Sequence, residues 1–215
     1  MLWRTSPVSA SYGFDRGTPI DRAYIERFLA SHAEDVRGRV LEIQDDAYTR
    51  RFGGSRVVRS DVLHVDDGHA GVTIVGDLCA AGGIGEACFD CIVLTQTLSF
   101  LPDIPAALKN LHRSLAPAGV LLVTSAGLSR ICTAEDERWG HFWNLTPRSV
   151  ALLLTADFGA GAIEVETYGN VLAATCFLQG LAAEELSEHE LEFRDARYPV
   201  IVAARAIKAG AGQAV

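Results

Sequence analysis

A cluster of aromatic, charged and imidazole side chains near position 140 is the part of the sequence best equipped for chemistry. Trp139, Phe142 and Trp143 could wall a pocket for a ring-shaped substrate, and their π faces could favour a cation. His141 lies among them, and its intrinsic pKa near neutrality makes it a candidate general base. The alternative is that Trp139 and Trp143, four residues apart on a helical turn, simply bury against a sheet.

A polar trio, Thr95-Gln96-Thr97, ends a short apolar run over Phe89–Thr95. Such a run predicts a strand covered on both faces. Parallel α/β sheets bind ligands at the carboxyl ends of their strands, near the point where the strand order reverses. We therefore expect Thr95 and Gln96 to contact a cofactor and Thr97 to contact a substrate.

The first 17 residues are irregular but rich in side chains that bind, which indicates an arm packed over a site. Tyr12 is expected to contact the substrate, and Asp15 is a second candidate for a catalytic base. A helix is predicted from Pro19 or Asp21 to about Glu34. Its buried face is marked by Ile20, Tyr24, Phe28 and Leu29.

Alternating strands and helices must position these groups. Asp103 can cap a helix whose apolar residues recur at spacings of three and four, and Pro117 and Gly119 end it. Two strands joined by such a helix form a right-handed parallel crossover. Strands are predicted at residues 40–43, 57–62, 72–75, 89–95, 120–124, 162–168 and 198–206. The pattern predicts an α/β chain whose sheet is covered by helices on both faces.

Residues 89–125 resemble the fourth strand, following helix and fifth strand of class I S-adenosylmethionine (SAM)-dependent methyltransferases, of the methyltransferase type 11 kind. Asp90 opens the strand, Pro102 lies in the loop, and Leu115-Ala116-Pro117-Ala118-Gly119 matches the family's turn after the helix, with Ala118 replacing a glycine. The resemblance extends more weakly from about Arg37 to about Lys208. It implies a three-layer α/β/α Rossmann-like fold with a seven-stranded, mostly parallel sheet in the order 3-2-1-4-5-7-6.

The same resemblance implies SAM as cofactor and S-adenosylhomocysteine (SAH) as product. The family has an acid-x-Gly-x-Gly-x-Gly sequence after the first strand, where Glu42 matches the acid. Gln44, Asp46 and Tyr48 occupy the three glycine positions, and their side chains must point away or fill the site. Either the loop follows another path, with Asp45 or Asp46 meeting the ammonium group of SAM, or the site is degraded.

Two further cofactor contacts are implied by the family pattern. An acid at the end of the second strand binds both ribose hydroxyls, and Asp61, followed by Val62, is the candidate, with Asp66 or Asp67 as fallback. An acid after the third strand contacts the adenine amino group, which points to Asp77, with Leu78 flanking the ring. The alternative for Asp61 is a turn-capping aspartate.

Composition restricts the class of protein. A chain of 215 residues with 49% hydrophobic residues can bury a large core, and a net charge of −8 argues against nucleic acid or an anionic membrane as partner. Cys88 and Cys91 form a lone CxxC pair, so reduced thiols and a cytoplasmic location are expected. We predict no metal site, because no acid/histidine cluster has ligand spacing.

A single domain over residues 1–215 is predicted: an arm and lid helix at 1–36, a core at 37–208 and a frayed tail at 209–215. Residues 171–186 are predicted to form an inserted helix that covers the acceptor site or pairs two subunits as a homodimer. The leading function is methyl transfer from SAM to a small polar or glycosidic acceptor, at oxygen. The alternatives are a non-methylating protein of this fold that binds a metabolite or a partner chain, and a relative that catalyses a non-methylating rearrangement.

Overall fold

A computed structural model describes residues 5–210, without the side chains of 134–136. The start of the predicted arm, 1–4, and the end of the predicted tail, 211–215, lie outside it. Within the described residues, one sheet holds seven strands in the order β3-β2-β1-β4-β5-β7-β6, which confirms the predicted order. The strands are β1 Gly38–Ile43, β2 Val57–His64, β3 Ile74–Val75, β4 Phe89–Thr95, β5 Leu115–Ala126, β6 Ile163–Tyr168 and β7 Ile201–Ile207.

The order of the strands in the sheet reverses between β1 and β4. These two strands are parallel neighbours, with Glu42 opposite Val93, and β1 also pairs in parallel with β2. Only the pairs that β7 makes with β5 and β6 are antiparallel. Because β1 leads to β2 in one direction and β4 leads to β5 in the other, a crevice opens at their carboxyl ends.

Helices cover both faces of the sheet because successive residues of the central strands point to opposite sides. On one face, Val40 and Val93 pack with α1 (Ile20–Ser31) and α5 (Val171–Leu178). On the other face, Leu41 and Ile92 pack with α2 (Ile104–Ser114) and α4 (Pro147–Phe158). Both layers of helix are therefore fixed by the alternating apolar residues of the same strands.

Side-chain caps begin both helices on this second face, and the one at Asp103 is the cap that the sequence predicts. The Asp103 carboxylate accepts a hydrogen bond from the backbone N–H of Ala106, 3.0 Å away, at the start of α2. Thr146 accepts from the N–H of Ser149 at the start of α4, and a proline follows in the first turn of each helix. Two short helices complete the set, α3 (Thr133–Trp139) and α6 (Glu188–Glu192).

The arm is attached to the segment between β6 and β7. The N–H of Val8 donates to the carbonyl of Gln179 at 2.8 Å, and Pro19 forms an antiparallel bridge with Ala182. Arg16 pairs with Glu185. The arm and this inserted segment therefore form one continuous cover beside α1.

Two differences from the predicted element bounds affect the cavity and its cover. The helix predicted over 171–186 ends at Leu178, because Gly180 has a φ of +71° and turns the chain towards the arm. The second strand runs to His64 rather than to position 62, since Leu63 and His64 still pair with Ile74 and Val75 of β3. Among residues 5–210, no helix has the length and apolar character needed to cross a bilayer.

Candidate active site

A cavity of about 940 Å³ lies at the carboxyl ends of β1, β2 and β4. Its volume is at the upper end of the range of about 300–1,000 Å³ that is typical of ligand sites. The arm closes one side through Tyr12 and Phe14, α1 contributes Asp21 and Arg22, and α3 contributes Trp139. Of the residues predicted to form a site, those on its wall are Tyr12, Glu42, Gln44, Asp45, Asp77, Leu78, Thr95, Gln96, Thr97, Trp139 and His141.

The loop after β1 leaves the cavity open although it lacks the three glycines. Gln44 adopts the left-handed conformation of a glycine, with φ +76°, and its side chain is exposed at the wall. Asp46 turns away and pairs with Arg50 at 2.9 Å, so it is absent from the cavity wall. Tyr48 forms part of the wall, and its hydroxyl accepts a hydrogen bond from Arg22 at 2.9 Å. The loop therefore takes another path instead of filling the site.

Glu42 ties this loop to the strand. It is 3% exposed, and its carboxylate accepts hydrogen bonds from the backbone N–H groups of Tyr48 at 3.3 Å and Thr49 at 2.7 Å. Burial raises the pKa of Glu42 to about 7, although these bonds oppose the shift. A ligand with positive charge next to Glu42 would favour its ionised form.

Asp61 and Val62 do not lie on the cavity wall, which corrects the predicted ribose contact. Asp61 is fully buried in the middle of β2, where it accepts hydrogen bonds from Arg39 at 2.7 Å and Thr73 at 3.0 Å. The reason is the length of the strand: β2 continues for two residues past Val62, so His64 occupies the tip. Leu63 and His64 line the cavity in their place.

His64 belongs to a small cluster of aromatic rings at the tip of β2. Its ring stacks on His69 with centroids 4.2 Å apart and planes 5° apart, and Trp139 packs against it edge-on. His64, Asp66 and His69 could place three ligand atoms within 4.8 Å of one another. However, parallel stacked rings cannot both direct a lone pair at one ion, and Asp66 pairs with Arg138 at 3.2 Å. This arrangement favours an aromatic wall over a metal centre.

The third strand supplies the other end of the cavity. Asp77 accepts a hydrogen bond from the N–H of Cys79 at 2.8 Å, and Leu78 beside it is buried. The Asn110 side chain donates to the carbonyl of Leu78 at 2.8 Å, which anchors this turn to α2. Asp77 and Leu78 therefore form a fixed polar and apolar pair at the wall.

The polar trio lies at the tip of β4, where the two halves of the sheet diverge. Gln96 has a φ of +52°, which is strained for a residue with a side chain, and its N–H donates to the carbonyl of Thr124 at 2.9 Å. Thr97 donates from its hydroxyl to the carbonyl of Thr95 at 3.0 Å. The strained backbone points the Gln96 side chain into the cavity wall.

Asp21 and Arg22, in the first turn of α1, are site residues that the sequence analysis missed. Both line the cavity, and Arg22 reaches the hydroxyl of Tyr48. Burial raises the pKa of Asp21, opposed by Arg22 and by the Gln96 side chain. The sequence signal for Asp21 was an acid in the first turn of a helix that was predicted to cover the site. Acids are also common in the first turn because they interact favourably with the helix dipole.

The two predicted bases have different positions. His141 lines the cavity, where its ring packs edge-on against Phe100 and Nε2 lies 3.4 Å from Asn144 Oδ1. Asp15 does not line the cavity, because its exposed carboxylate accepts from the hydroxyl of Ser9 within the arm. The structure therefore brings only one of them to the wall.

The aromatic residues predicted to bind substrate are also divided. Tyr12 lies 3.6 Å under the guanidinium of Arg130, which joins the arm to the loop after β5. Trp139 lines the cavity and is 37% exposed, so it is not buried against the sheet. Trp143 is 43% exposed, lies outside the cavity wall, and donates from its indole N–H to the carbonyl of Leu101. Trp139 and Tyr12 therefore remain as candidate contacts.

Comparisons with known proteins agree with this architecture. Residues 29–123 match a family model described as a methyltransferase domain. No curated protein matches the sequence at a significant level. All solved structures compared below are less than 25% identical to this chain, so they show a shared fold.

Three solved structures illustrate that fold. The N-methyltransferase NodS from Bradyrhizobium japonicum WM9 is 21% identical with a TM-score of 0.54, over 89% of this chain and 97% of that one; it has also been solved with SAH. A SAM-dependent methyltransferase from Archaeoglobus fulgidus is 12% identical with a TM-score of 0.57, over 87% and 94%. The [4+2]-cyclase SpnF is 17% identical with a TM-score of 0.55, over 91% and 85%.

Proposed function

We propose that the chain transfers the methyl group of SAM to a hydroxyl of a small polar acceptor, leaving SAH, because residues 29–123 match a methyltransferase domain and the sheet has the strand order expected for that fold. The observation that carries the proposal is the open cavity at the tips of β1 and β4 in spite of the missing glycines. A site degraded by Gln44, Asp46 and Tyr48 would have lost that volume.

The charges on the wall fit a donor that is cationic. SAM carries positive charge on its sulfonium and ammonium groups, and Glu42, Asp45 and Asp77 present carboxylates along the wall. We assign Glu42 and Asp45 to the methionine end, and Asp77 with Leu78 to the adenine. The neighbour NodS, solved with SAH, shares the fold that this assignment assumes.

His64 takes the position at the end of β2 where the family pattern has an acid for the ribose. A histidine can accept or donate one hydrogen bond at each ring nitrogen, so it can bind a hydroxyl without a negative charge. Nδ1 of His64 already lies 3.1 Å from the carbonyl of Asp66, which leaves Nε2 for a ligand. We therefore assign the ribose contact to His64 instead of Asp61.

Bound SAM supplies an activated methyl group, so the protein's main tasks are alignment and exclusion of water. The arm and α1 cover the cavity, and Trp139 and Tyr12 offer flat surfaces for a ring-bearing acceptor. A proton acceptor is needed only where the acceptor is a hydroxyl. The volume of about 940 Å³ leaves room for donor and acceptor together.

The test is calorimetry of the full chain with SAM and with SAH, followed by incubation of the protein with methyl-labelled SAM and a panel of small alcohols, phenols, sugars and amines. We expect micromolar binding that Glu42→Gln and Asp77→Asn weaken, and labelled product from a hydroxyl compound. A folded sample that binds neither SAM nor SAH would contradict the proposal. Label transferred only to amines contradicts the choice of oxygen.

A second candidate function is a non-methylating reaction or binding role in the same cavity. The observation in its favour is that SpnF, described as a [4+2]-cyclase, shares this fold. Binding of SAM without formation of SAH in the presence of any compound of the panel would favour this candidate.

A further inference from the structure

In the part of the chain that the structure describes, two buried side-chain oxygen atoms at the cavity have no hydrogen-bond partner, and they belong to two residues whose side chains interact, Asp21 and Gln96. Oδ1 of Asp21 and Oε1 of Gln96 are both buried, and neither has a hydrogen-bond partner among the residues that the structure describes. Both residues line the cavity. An unsatisfied buried acceptor costs about 1–3 kcal/mol, so such atoms are retained where a ligand satisfies them. Two of them together call for a ligand that donates hydrogen.

The position of these atoms is significant because Gln96 is the residue at the tip of β4. The strained φ of +52° at Gln96 and its N–H bond to Thr124 fix the side chain from the sheet side. Asp21 approaches from the first turn of α1, on the covering layer. The pair therefore joins the rigid floor of the cavity to its cover, at the place where a donor and an acceptor would meet.

We propose that Asp21 accepts the proton of the acceptor hydroxyl during methyl transfer, and that Gln96 positions its carboxyl group. This inference rests on the proposed function and adds the catalytic base that it lacks. Asp15 is outside the cavity wall, while the ring of His141 packs edge-on against Phe100, with Nε2 3.4 Å from Asn144 Oδ1. Asp21 is the carboxylate that meets the strand tip.

The step balances with the groups named. A lone pair of the acceptor oxygen forms a bond to the methyl carbon of SAM while the bond between that carbon and sulfur breaks. The electron pair of the broken bond stays on sulfur, which gives SAH. The hydroxyl proton passes to Asp21 as the oxygen–hydrogen bond breaks. Asp21 then releases the proton to water when the product leaves.

The environment of Asp21 suits a proton acceptor. The titratable and charged groups that interact with it are Arg22 on the same helix and Tyr48 in the loop after β1. Arg22 is also held by the Tyr48 hydroxyl. Burial raises the pKa of Asp21, so the carboxylate binds a proton more readily than an exposed aspartate does.

A purely structural role is the competing explanation, since an acid in the first turn stabilises a helix by about 0.3–1 kcal/mol. The experiment compares Asp21→Asn and Asp21→Glu with a matched control on the same helix, Glu26→Gln. Glu26 pairs with Arg51 and does not line the cavity. Folding is checked by circular dichroism, and Asp21→Ser replaces Asp21→Asn if the latter does not fold.

Two readouts are taken: the dissociation constant of SAH by calorimetry, and the pH profile of kcat with the hydroxyl acceptor found in the labelling screen. We expect Asp21→Asn to lower kcat by about 100-fold or more, to remove the acidic limb of the profile, and to change SAH binding by less than about threefold. Asp21→Glu should restore part of kcat together with the acidic limb. Glu26→Gln should behave as wild type.

Either of two results overturns the inference. Asp21→Asn with a kcat within a few-fold of wild type shows that Asp21 is not the base. A loss of SAH affinity of tenfold or more in Asp21→Asn shows that the Asp21 carboxyl group holds the donor. This measurement requires no methyl acceptor. A wild-type protein that binds neither SAM nor SAH defeats the proposed function itself, so the two failures are distinguishable.

Discussion

The carboxylate of Glu42 accepts a hydrogen bond from the backbone N–H of Thr49, 2.7 Å away, across the loop that follows β1. This bond fixes a loop in which glycines would otherwise supply close backbone packing. Glu42 itself is a buried acid at the wall of a cavity that we assign to a cationic ligand. The stability of the ligand-free protein must therefore depend on the protonation of Glu42.

Stability should fall as the pH rises from about 4.5 to about 7. Burial raises the pKa of Glu42 from 4.5 to about 7, so in this window the folded protein binds more protons than the unfolded chain. The shift corresponds to about 3 kcal/mol, all of it present below pH 4.5 and lost above pH 7. Urea unfolding of the ligand-free protein between pH 5 and 8 measures it.

Glu42→Gln should remove this part of the pH dependence, whereas the exposed Glu34→Gln should leave it unchanged. The side chain of Glu34 is 89% exposed. Glu34→Gln therefore makes the same change of acid to amide as Glu42→Gln, but at a position that is not buried. An undiminished slope in Glu42→Gln would assign the titration to another group.

Asp61→Ala should destabilise the fold and leave SAM affinity unchanged in the folded protein. Burial opposes ionisation of Asp61, but hydrogen bonds from Arg39, Arg59 and Thr73 hold its pKa below the usual value. Removing it leaves Arg39 and the Thr73 hydroxyl without their buried acceptor, at a cost of about 1–3 kcal/mol. Chemical denaturation measures the loss, and calorimetry with SAM measures the affinity. A fall in affinity beyond a few-fold would restore Asp61 to the binding site.

Gly180→Ala should loosen the arm and weaken SAM binding. A Cβ at Gly180 would lie 2.3 Å from the backbone oxygen of Ser9, and the φ of +71° adds strain. We expect faster proteolysis within the arm and an increase of the SAM dissociation constant by about tenfold. Limited trypsin digestion and calorimetry are the measurements.

The matched control for this change is Gly159→Ala, at the end of α4. Its φ of +79° is similar, but an added Cβ meets no atom within 4 Å. Gly159→Ala should therefore lose only about 1 kcal/mol of stability, without an effect on the arm. Equal proteolysis of both variants would mean that backbone strain alone, and not the contact with Ser9, is responsible.

Trp139→Ala should raise KM for the acceptor by about tenfold, which equals about 1.4 kcal/mol, with little change in SAM affinity. Trp139 lines the cavity beside His64, on the side of α3. Trp143→Ala is the control, because Trp143 is similarly exposed but lies outside the wall. Steady-state kinetics with the acceptor found by labelling provide the comparison. Similar effects of both changes would place the acceptor outside the cavity.

Gln44→Gly should be tolerated and should not weaken SAM binding. Gln44 has a φ of +76°, so glycine relieves backbone strain of about 1 kcal/mol and costs a comparable amount of chain entropy. Gln44→Val should destabilise the protein, because a β-branched side chain disfavours this conformation. Thermal unfolding and calorimetry with SAM test both variants. Loss of binding in Gln44→Gly would show that the glutamine side chain itself holds the ligand.

The sequence by itself determined the order of the sheet and the identity of most strands. Apolar runs such as Phe89–Thr95 bury on both faces wherever they are placed, and the caps at Asp103 and Thr146 act within one turn of chain. These are local effects, so they can be read from neighbouring residues. The resemblance around 89–125 supplied the order in which the strands lie.

Tertiary structure decided which acids meet the cavity. Two extra residues of β2, paired with β3, moved the end of the strand from Val62 to His64 and left Asp61 to neutralise Arg39 and Arg59. Asp21 faces the cavity because the fold brings the first turn of α1 to Gln96, a residue 75 positions away in the sequence. Spacing along the chain could not reveal either outcome, since strand register and helix placement are set by packing between distant segments.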